Sequence, residues 1–271
     1  MVKLSIITVC KNAENTIEKT ILSVLNQTFQ DYEYIVIDGN STDRTLDIIK
    51  RYENEFICKK IHIRVVSEPD HGIYDAMNKG AAQSESIWLM FLNADDVLAS
   101  DRVLDLIFMQ CKKDSDILFG NTRIFSKIDH YDYVQIPKAA NMNKEILVRM
   151  PFIHQSSLIK KNVFLNYIFD TGYLYGADYK VFLNAFLDRA VFQYVDVIIS
   201  NYSNDGVSGQ ASNSLCEYRK IKKEANLYRR ISIGNKIYCI YAGIWIWVRR
   251  IAKRNKIILK IFIKRQHRRF Q

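Results

Sequence analysis

This chain of 271 residues, 48% hydrophobic and 25% charged, is predicted to be a soluble, folded protein that fills one large domain or two small ones. Its net charge of +10 comes from the C-terminus, because residues 215–271 hold 17 Lys and Arg against 2 Glu, which leaves −5 for residues 1–214. A nucleic-acid-binding domain usually spreads basic residues over its folded body, so this acidic body argues against that class of protein.

Short apolar runs alternate with amphipathic stretches along the first hundred residues. Strands are predicted at LSIITVC (4–10), YIVID (34–38), IHIRVVS (61–67) and IWLMFL (87–92). Helices are predicted at 15–27, 42–53, 73–82 and 101–113, with Ser41 and Ser100 as the N-caps of the second and fourth. This alternation indicates βαβ units and an α/β fold with a mostly parallel sheet, which loosens into an α+β pattern over residues 120–210.

Acidic side chains follow three of the four predicted strands. Asp38 ends the second strand, Glu68 and Asp70 follow the third, and Asp95 and Asp96 follow the fourth. In an open parallel sheet the ligand binds beyond the carboxyl ends of the strands. A single acid there is often no more than a helix cap, but adjacent carboxylates repel, and a divalent cation would stabilise the Asp95–Asp96 pair.

Oxygen ligands favour magnesium or manganese over zinc. A metal ion of this kind, together with the helix N-terminus at Gly72, would favour binding of a negatively charged diphosphate. The sequence has no GxGxxG after the first strand and no GxxxxGK[ST], so neither a dinucleotide-binding fold nor a P-loop is predicted.

Five segments carry a resemblance to a known family: LSIITVCKN, SVLNQT, YIVIDGNSTDRT, SEPDHGIYDAMNKG and FLNADD. In this order they resemble the family 2 glycosyltransferases of the GT-A fold, in particular bacterial enzymes that build surface polysaccharides. The resemblance covers residues 3 to about 210 and implies a glycosyltransferase domain at 1–214, followed by a basic amphipathic helical tail at 215–271. It implies an enzyme that transfers a sugar with inversion from a nucleoside-diphosphate sugar, expected to be a UDP-sugar, to a lipid-linked or saccharide acceptor.

The resemblance also implies which residues bind the donor. The base and ribose would lie against the ends of the first two strands, at Thr8, Val9, Cys10 and Asp38. The segment NADD would be the metal-binding DxD motif, with Asn93 in place of its first acid and expected to bind the nucleotide sugar. Asp95, helped by Asp96, is then the expected ligand of Mg²⁺ or Mn²⁺.

The third helix and the loop before it would wall the donor pocket. Glu68 lies on the loop, and Ile73, Met77 and Gly80 are expected on the buried side of the helix. Asp75 would contact the donor sugar or ribose, although an i,i+4 ion pair with Lys79 is the alternative.

Many relatives carry an Arg at the position of Met77. This chain therefore lacks the positive charge that faces the phosphates in those relatives. Lys79 or His71 is the expected replacement for that charge.

An inverting transfer needs a base on the acceptor side. The resemblance implies that Asp178, at the start of a helix after Gly176, is this base; from the residues alone, an acid favoured by the helix dipole is the alternative. The resemblance places His154 near the acceptor pocket, against the alternative of a structural histidine. Residues 205–210, DGVSGQ, are expected to close over the diphosphate, or else to form plain turns.

The tail contains twelve apolar or aromatic residues, IYCIYAGIWIWV (237–248), between basic residues. Because a spanning helix needs about 20 apolar residues, this segment is predicted to lie at the membrane interface, with a helix packed on the domain as the alternative. MVKLSIITVCKN is too short an apolar run for a signal peptide, and five scattered cysteines favour a reducing cytosol over a disulfide framework or a zinc site. The expected location is the inner face of the cell membrane, as a peripheral protein.

Two other functions stay open from the sequence. One is a non-catalytic protein that binds nucleotide sugars, although Asp95, Asp96 and Asp178 together argue against it. The other is a nucleic-acid-binding protein with a basic tail. Nucleic acid is not among the expected partners.

Overall fold

The computed structural model describes residues 2–126, 130–203 and 211–254, with the backbone alone at 211–215 and 245–254. The described residues form nine strands: β1 Leu4–Cys10, β2 Tyr32–Asp38, β3 His62–Ser67, β4 Trp88–Phe91, β5 Val97–Leu98, β6 Ile117–Ser126, β7 Tyr131–Gln135, β8 Ser157–Lys160 and β9 Phe192–Ser203. They join in one sheet in the order β3-β2-β1-β4-β8-β6-β9-β5, with β7 paired to β6.

Helices cover the sheet and continue into the C-terminal segment. They are α1 Ile17–Leu25, α2 Thr45–Cys58, α3 Ile73–Gln83, α4 Val103–Gln110, α5 Met142–Glu145, α6 Lys161–Phe164, α7 Ala177–Leu187, α8 Ala211–Glu224, α9 Leu227–Arg230 and α10 Ile233–Arg254. Short 3-10 turns lie at Ala139–Asn141 and His154–Ser156. None of the helices in the described ranges combines the length and hydropathy that a bilayer-crossing segment needs.

The first four strands are parallel and end at one edge of the sheet. Cys10 lies opposite Asp38, and Asp38 opposite Ser67, while β4 runs alongside β1. Antiparallel pairing begins where β8 joins β4 and β6. The α/β prediction is therefore confirmed, and the mixed pairing lies in the second half, where the alternation of the sequence loosens.

Strand β1 has its side chains buried on both faces, which explains its unbroken apolar sequence. Ile7 and Val9 pack in one core layer with Met77 of α3, and Ile6 packs in the other layer with α1 and α2. Gly80 allows the close approach of α3, since a Cβ there would lie 2.4 Å from Ile7 Cγ2.

Three local predictions were wrong. Ser41 does not cap α2: the helix begins at Thr45, whose N–H donates to Asp43 Oδ1 at 3.0 Å, and the Ser41 hydroxyl donates to Asp38 instead. Helix α4 begins at Val103, and the Ser100 side chain does not cap it. Ile73 is 42% exposed, because the first turn of α3 projects beyond the sheet, whereas Met77 and Gly80 are buried as expected.

Helix α8 runs across the boundary predicted at residue 214, and that boundary stays a prediction. Ile221 and Leu227 are fully buried in the same core cluster as α7. Residues 205–210, residues 255–271 and the side chains of Trp245 and Trp247 lie outside the described residues, so the predictions made for them are not tested.

Candidate active site

Asp38 joins the ends of three parallel strands. Its buried carboxylate accepts hydrogen bonds from the Ser67 hydroxyl at 2.7 Å, from the Ser41 N–H at 2.9 Å and from the Ser41 hydroxyl. The Cys10 thiol donates to Asp38 Oδ1 at 3.6 Å. Burial, followed by the charge of Asp38, raises the pKa of Cys10, so the thiol stays protonated. These bonds hold the predicted nucleotide-binding edge in one conformation.

Two of the predicted donor contacts have buried side chains. The hydroxyl of Thr8 lies within the core and accepts a hydrogen bond from Tyr34 at 3.1 Å. Val9 packs under α3. A donor could therefore meet these two residues only through the backbone, and their predicted role stays a prediction.

The loop before α3 is held by its own acids. Asp70 Oδ1 accepts the Gly72 N–H at 2.9 Å, and Gly72 has a φ of 111°, a conformation that favours glycine. A Cβ on Gly39 would lie 2.1 Å from Asp70 Oδ2. The loops after β2 and β3 are therefore in contact, and Gly39 makes that contact possible.

Lys79 is paired with both acids that were predicted to face the donor. Its ammonium lies 2.9 Å from Glu68 Oε1, 3.3 Å from Asp75 Oδ2 and 2.8 Å from the Pro69 carbonyl oxygen. The His71 N–H donates to Asp75 at 3.0 Å, and this bond, with Lys79, lowers the pKa of Asp75. The ion pair considered as the alternative for Asp75 is thus present, and donor contact by Glu68 and Asp75 stays a prediction.

Asp95 and Asp96 differ in their surroundings. Asp95 follows β4 and is exposed as a residue. Partial desolvation of its carboxyl group by the surrounding protein still raises its pKa. Asp96 is fully buried, and burial, followed by the charge of Asp95, raises its pKa well above the ordinary value. Asp96 Oδ1 accepts the Ser203 N–H at 3.2 Å.

Two buried oxygens beside this pair are available to a cation. Asn93 Oδ1 has no hydrogen-bond partner among the described residues, and Asp96 Oδ2 has the Gln155 amide nearby but not in hydrogen-bond geometry. Buried polar atoms are normally satisfied, so both point to a bound cation or water. Within the described ranges no three His, Cys, Asp or Glu side chains gather into a complete metal site. Asp95, Asp96 and Asn93 offer only oxygen atoms, and such a set would fit a hard divalent cation.

Asp178 lies in the first turn of α7, accepts two hydrogen bonds and has an imidazole nitrogen close to its second oxygen. Its Oδ1 accepts the Tyr179 N–H at 2.7 Å and the Tyr74 hydroxyl at 3.4 Å, and His154 Nδ1 lies 3.3 Å from Oδ2. Burial, followed by the charge of Asp178, raises the pKa of Tyr74 well above 10.0, so Tyr74 remains a donor. These contacts orient the carboxylate, and it remains accessible to solvent because 13% of its side chain is exposed.

The short turn His154–Ser156 connects the two groups of acids. His154 contacts Asp178, and the next residue, Gln155, lies beside Asp96. Both amide atoms of Gln155 and the Nε2 atom of His154 are buried and unpartnered among the described residues. Consecutive residues of one turn thus lie next to the predicted base and next to one of the predicted metal ligands.

Reasoning from sequence missed Tyr74, Gln155 and Ser67. Tyr74 is next to Asp75 in a segment that the sequence marks as functional, but nothing local shows that its hydroxyl reaches Asp178. Gln155 follows His154, and its burial depends on the antiparallel pairing of β8 with β4. Ser67 could have been found, because it ends the strand next to Asp38.

Comparison with known proteins agrees with this geometry. Residues 5–182 match the family model described as glycosyl transferase family 2. A PGL/p-HBAD biosynthesis glycosyltransferase of Mycobacterium bovis is 27% identical over 223 residues, which are 81% of this chain and 82% of that protein. The putative teichuronic acid biosynthesis glycosyltransferase TuaG of Bacillus subtilis is 37% identical over 99 residues, 36% of this chain and 38% of that protein.

Solved glycosyltransferases share the fold. The structure of S. aureus TarS 1-349 with UDP-GlcNAc matches with a TM-score of 0.63 at 18% identity, covering 82% of this chain and 66% of that one. Mannosyltransferase PcManGT from Pyrobaculum calidifontis, with GDP-Man and Mn2+, matches with a TM-score of 0.62 at 13% identity, covering 89% and 73%. The predicted GT-A fold is confirmed. Because the family model spans most of the described sheet and includes every predicted site residue, the chain belongs to glycosyl transferase family 2.

Proposed function

We propose that this enzyme is an inverting, metal-dependent glycosyltransferase that takes its sugar from a nucleoside-diphosphate sugar, with a UDP-sugar as the expected donor. The observation that carries the proposal is the turn at His154–Gln155, in which His154 contacts Asp178 and the next residue lies beside Asp96. An inverting displacement needs a base and a stabilised leaving group on opposite sides of the anomeric carbon.

Asp95, Asp96 and Asn93 are the residues that would hold Mg²⁺ or Mn²⁺. Their oxygens are hard ligands, and the mannosyltransferase of the same fold from Pyrobaculum calidifontis was solved with Mn2+. When bound, the cation neutralises negative charge on the diphosphate.

Asp178 is placed to accept the proton of the acceptor hydroxyl. The acceptor oxygen forms a bond to the anomeric carbon while the bond from that carbon to the diphosphate oxygen breaks, and its electron pair leaves with the nucleoside diphosphate. The Tyr179 N–H and the Tyr74 hydroxyl direct Asp178 Oδ1, and His154 directs Oδ2, so the base does not need to reorganise during the reaction.

The acceptor is proposed to be lipid-linked or a saccharide in cell-surface polysaccharide synthesis. Two relatives are named as glycosyltransferases of PGL/p-HBAD biosynthesis and of teichuronic acid biosynthesis, which supports this class. The basic C-terminal segment supports a peripheral position on the inner face of the membrane, where such acceptors are assembled.

A donor screen tests the proposal. Full-length protein is incubated with UDP-glucose, UDP-galactose, UDP-GlcNAc or GDP-mannose, and the release of nucleoside diphosphate is measured with Mn²⁺, with Mg²⁺ and with chelator. At least one donor is expected to turn over with metal, and both chelator and Asp95→Ala should lower the rate by about 10²-fold or more. The matched control is Asp101→Ala, an exposed acid outside the site, which should keep the wild-type rate. Turnover that survives chelator and Asp95→Ala would refute the metal assignment, and no turnover with any donor would favour a non-catalytic sugar-nucleotide-binding protein.

A further inference from the structure

Helix α10 has one face packed on the domain. The Cys239 thiol is buried and donates to the Leu147 carbonyl oxygen at 3.7 Å. Tyr238 and Ala242 pack against the same core cluster, and Lys144 lies over the Tyr238 ring at 5.9 Å. The helix is therefore attached to the body of the enzyme and has a defined outer side.

The outer side of α10 is apolar. Five large side chains follow one another at helical spacing and are between 51% and 74% exposed: Ile233, Ile237, Ile240, Tyr241 and Ile244. Residues spaced in this way share one face of a helix. We call these five residues the outer stripe. An apolar stripe of this length on a solvent-facing helix usually marks an interaction site.

The C-terminal segment that carries the outer stripe is strongly basic. Residues 215–271 contain 17 Lys and Arg against 2 Glu, and Arg219, Lys220, Lys223 and Arg229 are exposed on the two helices that precede α10. An apolar face beside basic side chains is complementary to a bilayer that carries anionic headgroups, since the lipid interior accepts the apolar face and the headgroups attract the cations. A second copy of this chain would bring the same positive charge to the interface, which disfavours it as the occupant.

We infer that the outer stripe is a docking surface for an anionic lipid bilayer, on which α10 lies parallel to the membrane while its inner face stays packed on the domain. This deepens the proposed peripheral location, because it assigns membrane binding to five residues rather than to the tail as a whole. Binding to vesicles needs neither sugar donor nor metal, so this inference can fail while the proposed transfer reaction holds, and the reverse is equally possible.

Vesicle binding by paired variants tests the docking surface. Full-length wild type, Ile237→Ser with Ile240→Ser, and Ile57→Ser are sedimented with vesicles of phosphatidylcholine alone or mixed with phosphatidylglycerol, at low and high salt. Ile57 is the matched control, because it is 62% exposed on α2, away from the tail. Thermal melts check that all three proteins fold, and light scattering gives their oligomeric state.

The wild type and Ile57→Ser are expected to bind the anionic vesicles and to be partly released by salt, because screening weakens only the electrostatic share. The double variant should bind the anionic vesicles at least about tenfold more weakly than the wild type. Its melting temperature should be unchanged. Equal binding by the double variant and the control would overturn the inference, as would a wild type that ignores anionic vesicles. A wild-type dimer that the double variant converts to a monomer, without any change in vesicle binding, would assign the stripe to a second copy instead.

Discussion

Asp178 contacts groups from three different elements, two of them hydrogen-bond donors, so a substitution can change its chemistry without moving it. The Tyr179 N–H lies on its own helix, Tyr74 on α3, and His154 on the turn before β8. An asparagine at 178 would keep an oxygen for Tyr179 and Tyr74 but could not take up a proton.

We expect Asp178→Asn to lower kcat by about 10²- to 10⁴-fold while the affinity for the donor changes by a few fold at most. Rates of nucleoside diphosphate release and calorimetric donor titrations measure the two quantities. Asp188→Asn, at the far end of the same helix, is the control and should leave both unchanged. If donor binding is lost together with the rate, Asp178 has a structural or donor-binding role rather than that of a base.

We expect a substitution at Asp96 to raise the stability of the metal-free protein and to lower its activity. A fully buried carboxylate with one unpartnered oxygen destabilises the metal-free fold, whereas an asparagine keeps the acceptor for the Ser203 N–H and carries no charge. In chelator near pH 8, Asp96→Asn should therefore raise the free energy of unfolding by about 0.5–2 kcal/mol while it lowers metal-dependent turnover. Chemical denaturation measures the first effect, with Asp101→Asn as the neutral control. A less stable Asp96→Asn protein would show that the carboxylate is already satisfied without metal.

The site could be predicted only where its residues are close in sequence to a strand end. Asp38, Asp95 and Asp96 follow apolar runs that are strands, and the rule for parallel sheets then places them at one edge. Asp178 could not be placed by that rule, because its partners Tyr74 and His154 are far away in the chain. Its assignment came from the family resemblance, and periodicity does not reveal such long-range contacts.

At the scale of elements, a small ion cluster fastens α8 to α7. The Lys180 ammonium lies 2.6 Å from Asp170 Oδ2 and 2.9 Å from Glu224 Oε2, and it also stands over the Tyr173 ring at 4.9 Å. Lys180 is the first cause of the lowered pKa of both acids. The start of the C-terminal segment is thus tied to the helix that carries Asp178.

Replacing Lys180 with methionine should lower Tm at neutral pH by about 1–4 °C, because partly exposed pairs contribute only about 0.5–1 kcal/mol. A carboxylate with a lowered pKa in the folded state stabilises the protein above its unfolded pKa, about 3.9 for Asp and 4.3 for Glu, and loses that contribution as the pH falls. The difference in Tm between wild type and Lys180→Met should therefore shrink below about pH 4. Lys50→Met, an exposed site on α2, is the control. A difference that stays constant down to acid pH would mean that packing, not the ion pairs, is responsible.

The elements themselves were easiest to predict where both faces of a strand are buried. β1 and β2 follow their apolar runs closely, because an all-buried parallel strand leaves little choice of pattern. Helix starts were harder: Ser41 has the residue type of a cap, but the carboxylate of Asp38 competes for its hydroxyl. The antiparallel pairing of β8 and β6 depends on contacts between distant segments, which local patterns do not contain.

At the scale of the whole molecule, the C-terminal segment is both packed and exposed. Packing on the domain is seen on one face of α10, and the membrane surface inferred above is its other, exposed face. Leu147, which accepts the Cys239 thiol, follows Ile146, whose carbonyl oxygen accepts the Tyr179 hydroxyl at 2.8 Å. Shortening the chain before α10 would remove both faces at once, so substitutions on the outer stripe separate them better.

An inverting displacement with Asp178 as the base leaves a direct sign in the product, because it fixes the anomeric configuration of the released sugar. Proton NMR spectra recorded in the first minutes of hydrolysis of an α-linked donor such as UDP-glucose, or of whichever donor the screen identifies, resolve the two anomers before they interconvert. We expect the β anomer to form first, and Asp178→Asn to slow its formation by about 10²-fold or more. If the α anomer forms first, the enzyme retains configuration, and the role proposed for Asp178 is wrong.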